Sequence, residues 1–157
     1  MREELKEIKI RSRMMPGALT IDGFLGNDQR SLAEIIATDD KELDRLNRYV
    51  EEIADRMKFL TDATFDVFDN KVVIDDIYEV STETFKGNLS CPYGHGGFFR
   101  KYETTLKNRN NNITVHWTAM TIHLIEAHHF FGGKGSSFRY EPETLLKALF
   151  SEAKREL

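Results

Sequence analysis

The stretch FFRKYETTLKNRNNNITVHW, residues 98–117, decides the fold of this chain. Residues 98–106 are rich in aromatic and β-branched side chains, and they are followed by the polar run Asn108–Asn112 and then by Ile113–Trp117. Because asparagine tolerates left-handed backbone conformations, the polar run is suited to a turn between two antiparallel strands. The stretch therefore predicts a β-hairpin.

A further extended segment precedes this hairpin. Asp69 and Asn70 form a turn signal, and the residues from 72 to 80 are mostly apolar and β-branched. Polar and apolar residues then roughly alternate from 78 to 85, as expected for a strand with one buried face. Consecutive antiparallel strands form a meander, so the sequence predicts a small antiparallel sheet of about three to four strands.

The first half of the chain carries a helical pattern. Asp39 stands three positions before Glu42, which is the spacing of a capping box, and Asp28 is a second candidate N-cap. Behind Asp39, one helix is predicted to run to about residue 61, with a stripe of apolar residues on its core-facing side: Leu43, Leu46, Val50, Ile53, Met57 and Leu60. The same stripe also suits a short coiled-coil seam, which would make the protein a homo-oligomer.

Two further helices are predicted after the sheet. Residues 119–131 are apolar on nearly every side, and Gly132 is a candidate C-cap for that helix. Pro142, flanked by two glutamates, is suited to the first turn of the last helix. Helices, consecutive strands and further helices predict a single α+β domain over residues 1–157, helical to about residue 69 and with the sheet and the last helices from about residue 70.

The charge of the chain is unevenly spread. The net charge is −4, but residues 1–85 hold 12 Lys and Arg against 20 Asp and Glu, whereas residues 86–157 hold ten against six. A basic second half favours a small anionic ligand, although an acidic helical layer against a basic sheet explains the same distribution. The acidity of the whole chain argues against a nucleic-acid partner.

Cysteine usage and hydropathy predict a cytoplasmic location. The single cysteine, Cys91, has no second cysteine with which to form an internal disulfide, and this fits a reducing compartment. The charged N-terminal residues lack the apolar run of a signal peptide, and no window approaches the roughly 20 apolar residues of a membrane span. We therefore expect no membrane partner.

All five histidines and the only cysteine lie between Cys91 and His129. These are the side chains that most readily bind transition metals near neutral pH. Because consecutive residues of a helix are about 100° apart, the three histidines of residues 119–131 cannot all converge on one atom. The sequence predicts a site for zinc or another divalent transition metal from these candidate ligands: Cys91, His95, His116, His123, Glu126 and His128.

Two kinds of metal site are compatible with these candidates. Cys91, His95 and His123 form the most economical set, and a further ligand would come from the same group. Three protein ligands plus water would suit a catalytic zinc ion, whereas four would suit a structural one. The sequence contains no common hydrolase or dinucleotide-binding motif, and it predicts no particular reaction or catalytic residue.

A second candidate site is the glycine-rich segment FFGGKGSSFR, residues 130–139. Exposed backbone N–H groups in such a loop bind an anion when lysine and arginine supply positive charge. The candidate ligand-binding residues are Gly133, Lys134, Gly135, Ser136 and Arg139. The spacing is not that of a P-loop, and the alternative interpretation is a connector that follows a helix end.

Three functions are compatible with the sequence. The first is a metal-binding protein, with zinc as the expected ion. The second is a metal-independent protein that binds a small phosphorylated or carboxylated ligand through the two glycine-rich loops. The third is an interaction protein that forms a homo-oligomer through the predicted helix of residues 39–61 or through the edge of the sheet, with the histidines in structural roles.

Overall fold

The computed structural model describes residues 2–151, with side chains from Leu5 onward. Helices lie before and after a four-stranded sheet in the chain, and a short 3-10 turn leads into the first strand. The elements are α1 (Arg2–Met14), α2 (Leu32–Leu46), α3 (Val50–Phe65), the 3-10 turn (Phe68–Asn70), β1 (Lys71–Ile74), β2 (Tyr78–Leu89), β3 (Phe99–Asn108), β4 (Thr114–Trp117), α4 (Ala119–His128) and α5 (Pro142–Leu149).

The sheet is an antiparallel meander in the order β1-β2-β3-β4, which confirms the predicted α+β class. Neighbouring strands pair Val72 with Val80, Val80 with Leu106, and Leu106 with Val115. Directly opposite residues of an antiparallel sheet share one face, so this row of apolar side chains forms the inner surface of the sheet. The row belongs to the main apolar core, which also contains buried residues of α3 and α5.

A network of hydroxyl groups lies inside this core. The indole Nε1 of Trp117 donates to Thr61 Oγ1 at 2.8 Å, and both residues are buried. Thr64 Oγ1 donates to Thr82 Oγ1 at 2.7 Å, and Thr82 lies 2.9 Å from Thr104 Oγ1. Because an unpaired buried hydroxyl would cost about 1–3 kcal/mol, these contacts allow polar side chains at the junction of α3 and the sheet.

The prediction of one continuous helix over residues 39–61 is wrong, because the chain forms two helices there. Asn47 ends α2 in a left-handed conformation (φ 56°, ψ 48°), which asparagine tolerates better than most residues. The backbone N–H groups of Asn47 and Arg48 donate to carbonyl groups in the last turn of α2. The apolar stripe continues across the break into α3, and five of its residues are buried in the main core: Leu43, Val50, Ile53, Met57 and Leu60. The stripe therefore packs in the core of the chain itself, and a homo-oligomer formed through it stays a prediction.

The two predicted N-caps of the first half are also wrong. Ser31 caps α2, since its hydroxyl accepts a hydrogen bond from the backbone N–H of Glu34 at 3.2 Å. Asp39 lies inside α2 and is buried, and Asp28 lies before the helix and pairs with Arg30. Local spacing identified both aspartates as caps because it does not register their arginine partners, which are Arg30 for Asp28 and Arg139 for Asp39.

A second apolar cluster lies beside the main core and positions the histidine-containing loop. It joins α1, the segment before α2, the first turn of α2, the residues that follow β2, and α4 with the chain just after it. Its buried members are Ile10, Met14, Leu25, Leu32, Ile35, Cys91, Met120, Leu124 and Phe130. Cys91 is therefore part of a packed core rather than of a free surface loop. Within residues 2–151, no helix has both the length and the apolar character that crossing a membrane requires.

Candidate metal centre

The loop of residues 91–97, between β2 and β3, carries two of the candidate ligands. A turn closes at its start, where the backbone N–H of Gly94 donates to the carbonyl of Cys91 at 3.0 Å. Gly94 has a φ of +86°, and a β-carbon at this position would meet the guanidinium of Arg13 at 2.9 Å. Arg13 Nε also donates to the carbonyl of Pro92 at 2.6 Å. Helix α1 therefore fixes the loop from one side.

Helix α4 carries the other two ligands, His123 and His128. The hydroxyl of Thr118 caps the start of the helix by accepting from the backbone N–H of Thr121 at 3.1 Å. The helix ends at His128 because His129 takes a left-handed conformation (φ 54°, ψ 30°). The predicted C-cap at Gly132 is therefore wrong, and the earlier end places His128 in the last turn, beside the loop.

The ligand atoms of Cys91, His95, His123 and His128 converge. His95 Nε2 lies 2.9 Å from His123 Nε2 and 3.0 Å from His128 Nε2. The thiol of Cys91 lies 3.5 Å from His128 Nε2, and all four ligand atoms are within 4.8 Å of one another. Two residues of one loop and two residues of one helix thus place a sulfur and three imidazole nitrogens around a common point.

Three of the separations between ligand atoms are close to those of a tetrahedral metal site. Bonds of about 2.0 Å to nitrogen and about 2.3 Å to sulfur give a tetrahedron with N···N edges of about 3.3 Å and N···S edges of about 3.5 Å. The three contacts between ligand atoms, at 2.9, 3.0 and 3.5 Å, fall close to those values. The remaining pairs of ligand atoms lie within 4.8 Å of one another.

The surroundings orient the imidazole rings. His95 Nδ1 lies 3.3 Å from the carbonyl of Gly96, which favours a proton on Nδ1 and leaves Nε2 free to bind a metal. Tyr93 stacks on His128 with ring centroids 3.8 Å apart and planes 3° apart. The ring of Phe99 lies 4.4 Å from that of His123. Aromatic packing of this kind holds the rings in place before a metal binds.

Burial shifts the pKa values of the histidine and cysteine side chains in opposite directions. Burial, together with the neighbouring His123 and His95, lowers the pKa of His128 to about 4. Burial, together with the nearby His95, also lowers the pKa of His123. Both imidazoles are thus neutral at pH 7, as a metal ligand must be. Burial raises the pKa of the Cys91 thiol, so a metal ion must displace its proton on binding.

The other candidate ligands lie outside this group of four. His116 Nδ1 is 3.0 Å from Thr105 Oγ1 on the neighbouring strand. The carboxylate of Glu126 accepts two hydrogen bonds from Lys58 Nζ, at 2.8 and 2.9 Å. His129 pairs with Asp40 at 3.0 Å. Four of the six candidate ligands therefore lie together. This placement agrees with the expectation that the three histidines of residues 119–131 do not all share one site.

The glycine-rich segment of residues 130–139 packs against the segment before α2. The N–H of Gly133 donates to Phe24, the N–H of Lys134 donates to Asp28 Oδ2, and the N–H of Ser136 donates back to Gly133. A β-carbon at Gly133 would lie 2.2 Å from the carbonyl oxygen of Leu25, so only glycine allows this close approach. These three amide groups therefore donate to acceptors within the protein.

Arg139 has carboxylate partners within the protein. Its guanidinium forms two hydrogen bonds with Asp39 of α2, through Nη1 to Oδ2 and through Nη2 to Oδ1, and Nη2 also contacts Glu141 at 3.1 Å. The Arg139 and Asp39 side chains are only 6% and 3% exposed. The charge of Arg139 is thus balanced by carboxylates of the protein itself, and anion binding by Gly133, Lys134, Gly135, Ser136 and Arg139 stays a prediction.

The Asp28 carboxylate gives a testable pH dependence. Hydrogen bonds from Arg30 hold the pKa of Asp28 well below its usual range, and the backbone N–H of Lys134 adds to this. A lowered folded-state pKa stabilises the protein fully above the unfolded pKa of about 3.9, and this stability is lost as the pH falls. Between about pH 5 and pH 2, we expect the free energy of unfolding to fall about 2 kcal/mol more in the wild-type protein than in Asp28→Asn.

This prediction is checked by urea unfolding at several pH values, with a chelator present so that metal binding does not contribute. Asp22→Asn is the matched control, because Asp22 is an exposed carboxylate of the same segment, and we expect it to keep the wild-type pH profile. Parallel profiles for the wild-type protein and Asp28→Asn would contradict the prediction.

The chain was compared with protein-family models, with curated proteins and with solved structures, and none of them matches it.

Proposed function

We propose that this protein binds one zinc ion through Cys91, His95, His123 and His128, and that the ion holds the loop of residues 91–97 against α4. The observation that supports this most strongly is the approach of the four ligand atoms to within 4.8 Å of one another. Four such atoms, two from a loop and two from a helix that is separated from the loop in sequence, have the arrangement of a metal site.

The ligand chemistry favours zinc over other divalent ions. One thiolate and three neutral imidazoles are borderline-soft donors, and hard ions such as magnesium or calcium prefer oxygen. A tetrahedral arrangement of sulfur and nitrogen suits Zn²⁺, which has no preferred geometry of its own. A reducing compartment such as the cytoplasm would keep the only cysteine available as a thiolate.

A structural role fits better than a catalytic one. Four protein ligands complete a tetrahedron and leave no position for water, whereas a catalytic zinc ion keeps one position open. Cys91 belongs to the second apolar cluster, and the loop that carries it is fixed to α1 through Arg13. A metal bound here would link that cluster to the last turn of α4.

Metal analysis of untagged, desalted protein tests the proposal. We expect close to one zinc ion per chain, and a tetrahedral cobalt spectrum with a thiolate charge-transfer band after replacement of zinc by Co²⁺. His123→Ala should lose the metal. His116→Ala is the matched control, because this histidine lies outside the group of four and should leave the metal content unchanged.

Two results would contradict the proposal in different ways. Folded protein that neither contains metal nor takes up added zinc would exclude a metal site. A cobalt spectrum of a five-coordinate, water-bound ion would retain the site but exclude the closed structural role.

A further inference from the structure

The two edge strands of the sheet differ in how far their backbone groups are used. On β4, the N–H of His116 donates to the hydroxyl of Tyr140 at 3.1 Å, so the chain after α4 covers part of this edge. β1 forms the other edge and pairs with β2. Within residues 2–151, Lys71, Val72 and Val73 make no backbone hydrogen bond outside this pairing. β1 is therefore an open edge to which a further strand can add.

The turn after β1 shows which backbone groups point to the open edge. The N–H of Ile77 donates to the carbonyl of Ile74 at 3.0 Å across this turn, so the backbone polar groups of Ile74 point toward β2. Successive residues of a strand direct these groups to alternate sides, and those of Val73 therefore point away from β2. The N–H and C=O of Val73 are thus placed to pair with a further strand.

The side chains at this edge are apolar and partly exposed. Val72 and Ile74 pack against the main core and are half-buried, whereas Val73, on the other face of the strand, is 46% exposed. Phe68, in the 3-10 turn directly before β1, is 92% exposed. An open strand of β-branched residues next to an exposed aromatic ring favours contact with another protein surface.

A second copy of this chain fits the edge by symmetry. Opposite residues of an antiparallel pair share one face, so two identical strands related by a two-fold axis must place one residue opposite its own copy. With Val73 on the axis, its N–H and C=O face those of Val73 in the second copy. Val72 then lies opposite Ile74 of the second copy. The half-buried face of one sheet would thus continue into the half-buried face of the other.

The charges beside Val73 complement one another in this alignment. Lys71 and Asp75 lie two positions before and after Val73, so Lys71 of each copy lies opposite Asp75 of the other. Both side chains are exposed, and in the part of the chain that the structure describes no ion pair involves either. Asp75 begins the turn (φ 54°), so it contributes its charge rather than further backbone pairing. Two favourable cross-strand pairs result.

The neighbouring alignments lack this complementarity. With Val72 on the axis, Asp69 would lie opposite Asp75 of the second copy, and like charges in opposite positions are unfavourable. With Ile74 on the axis, Asp75 would lie opposite the apolar Val73. The other carboxylates near this edge, Asp76 and Glu79, pair with an arginine of their own chain. The charges therefore select the alignment with Val73 on the axis.

We propose that β1 is the interface of a homodimer, in which the β1 strands of two copies pair antiparallel about Val73 and join the two sheets into one of eight strands. Four-residue strands bury little area, so the interface belongs to the small class, and the dimer forms reversibly. The inference goes beyond the metal site, since none of the four proposed metal ligands lies on β1.

Sedimentation equilibrium of the full-length protein, from micromolar to millimolar concentration, tests this proposal. We expect a reversible monomer–dimer equilibrium with a dissociation constant in the micromolar range. Val73→Pro should leave only monomer, because proline removes the N–H that points to the second copy and keeps the pairing with β2. Val73→Thr is the matched control, since it keeps the N–H and the branched side chain, and its dissociation constant should stay within about twofold of the wild-type value.

Exchange of the two charges gives an independent test. Lys71→Asp should weaken dimerisation about tenfold, because the two-fold axis makes the change act on both cross-strand pairs. The exchanged variant, Lys71→Asp with Asp75→Lys, should recover most of this loss. Lys107→Asp is the control, because Lys107 is exposed on β3, away from the edge. Monomer at every concentration, a dimer that persists in Val73→Pro, or no recovery in the exchanged variant would each overturn the proposal.

Discussion

Replacing Cys91 with serine will remove the bound metal and lower the melting temperature by about 10 °C. Serine keeps the size of the side chain but lacks the thiolate that completes the proposed site. A ligand that binds only the folded state stabilises it by about 4 kcal/mol when its free concentration is 1,000 times its dissociation constant. In a domain of this size, 1 kcal/mol changes the melting temperature by about 2–4 °C.

Metal analysis and thermal unfolding of the same samples check this result. A chelator should lower the melting temperature of the wild-type protein by the same amount and leave Cys91→Ser nearly unchanged, because the variant has no metal to lose. His116→Gln serves as a control for the loss of a histidine elsewhere, since His116 contacts Thr105 on the sheet. A chelator effect of equal size in both proteins would show that the stabilising metal does not bind at Cys91.

Replacing Arg139 with methionine is expected to cost about 3–5 kcal/mol of unfolding free energy. Arg139 and Asp39 form a buried pair that joins the chain after α4 to α2. Removing the guanidinium leaves the Asp39 carboxylate buried without its positive partner, and an uncompensated buried charge is expensive. Methionine fills most of the space of the arginine stem, so the loss comes mainly from the charge rather than from packing.

Urea unfolding of three variants separates charge from packing. The double variant Asp39→Asn, Arg139→Met should recover part of the lost stability, because it removes the unpaired charge as well as its partner. Arg45→Met is the control, since Arg45 pairs with carboxylates at the surface, and we expect its unfolding midpoint to stay close to that of the wild-type protein. A double variant no more stable than Arg139→Met would contradict the explanation by charge.

Several elements were predictable because their signals are local. The asparagine-rich turn of residues 108–112 separates two runs of strand-forming residues, and the structure has β3 and β4 at these positions. The last helix begins at Pro142, as its position before an apolar periodic segment indicates. Turn preference and apolar periodicity depend on residues a few positions apart, so the sequence carries them directly.

Predictions from short-range patterns were wrong where the residues make contacts with parts of the chain that are far away in sequence. Asp39 and Glu42 have the spacing of a capping box, but Asp39 pairs with Arg139, which is 100 residues away. The apolar stripe predicted one long helix, although Asn47 divides it, because both helices bury their stripe in the same core. Apolar periodicity indicates which residues face the core, but it does not indicate whether they belong to one helix or to two consecutive helices.

The sequence by itself determined the α+β class, the meander and the window that holds Cys91 and all five histidines. Only the tertiary structure decided which histidines meet Cys91, and that Arg139 pairs with the carboxylate of Asp39. The physical reason is that strand and helix preferences act between near neighbours in the chain. The meeting of Cys91 with His128 instead depends on how the loop between β2 and β3 packs against the last turn of α4.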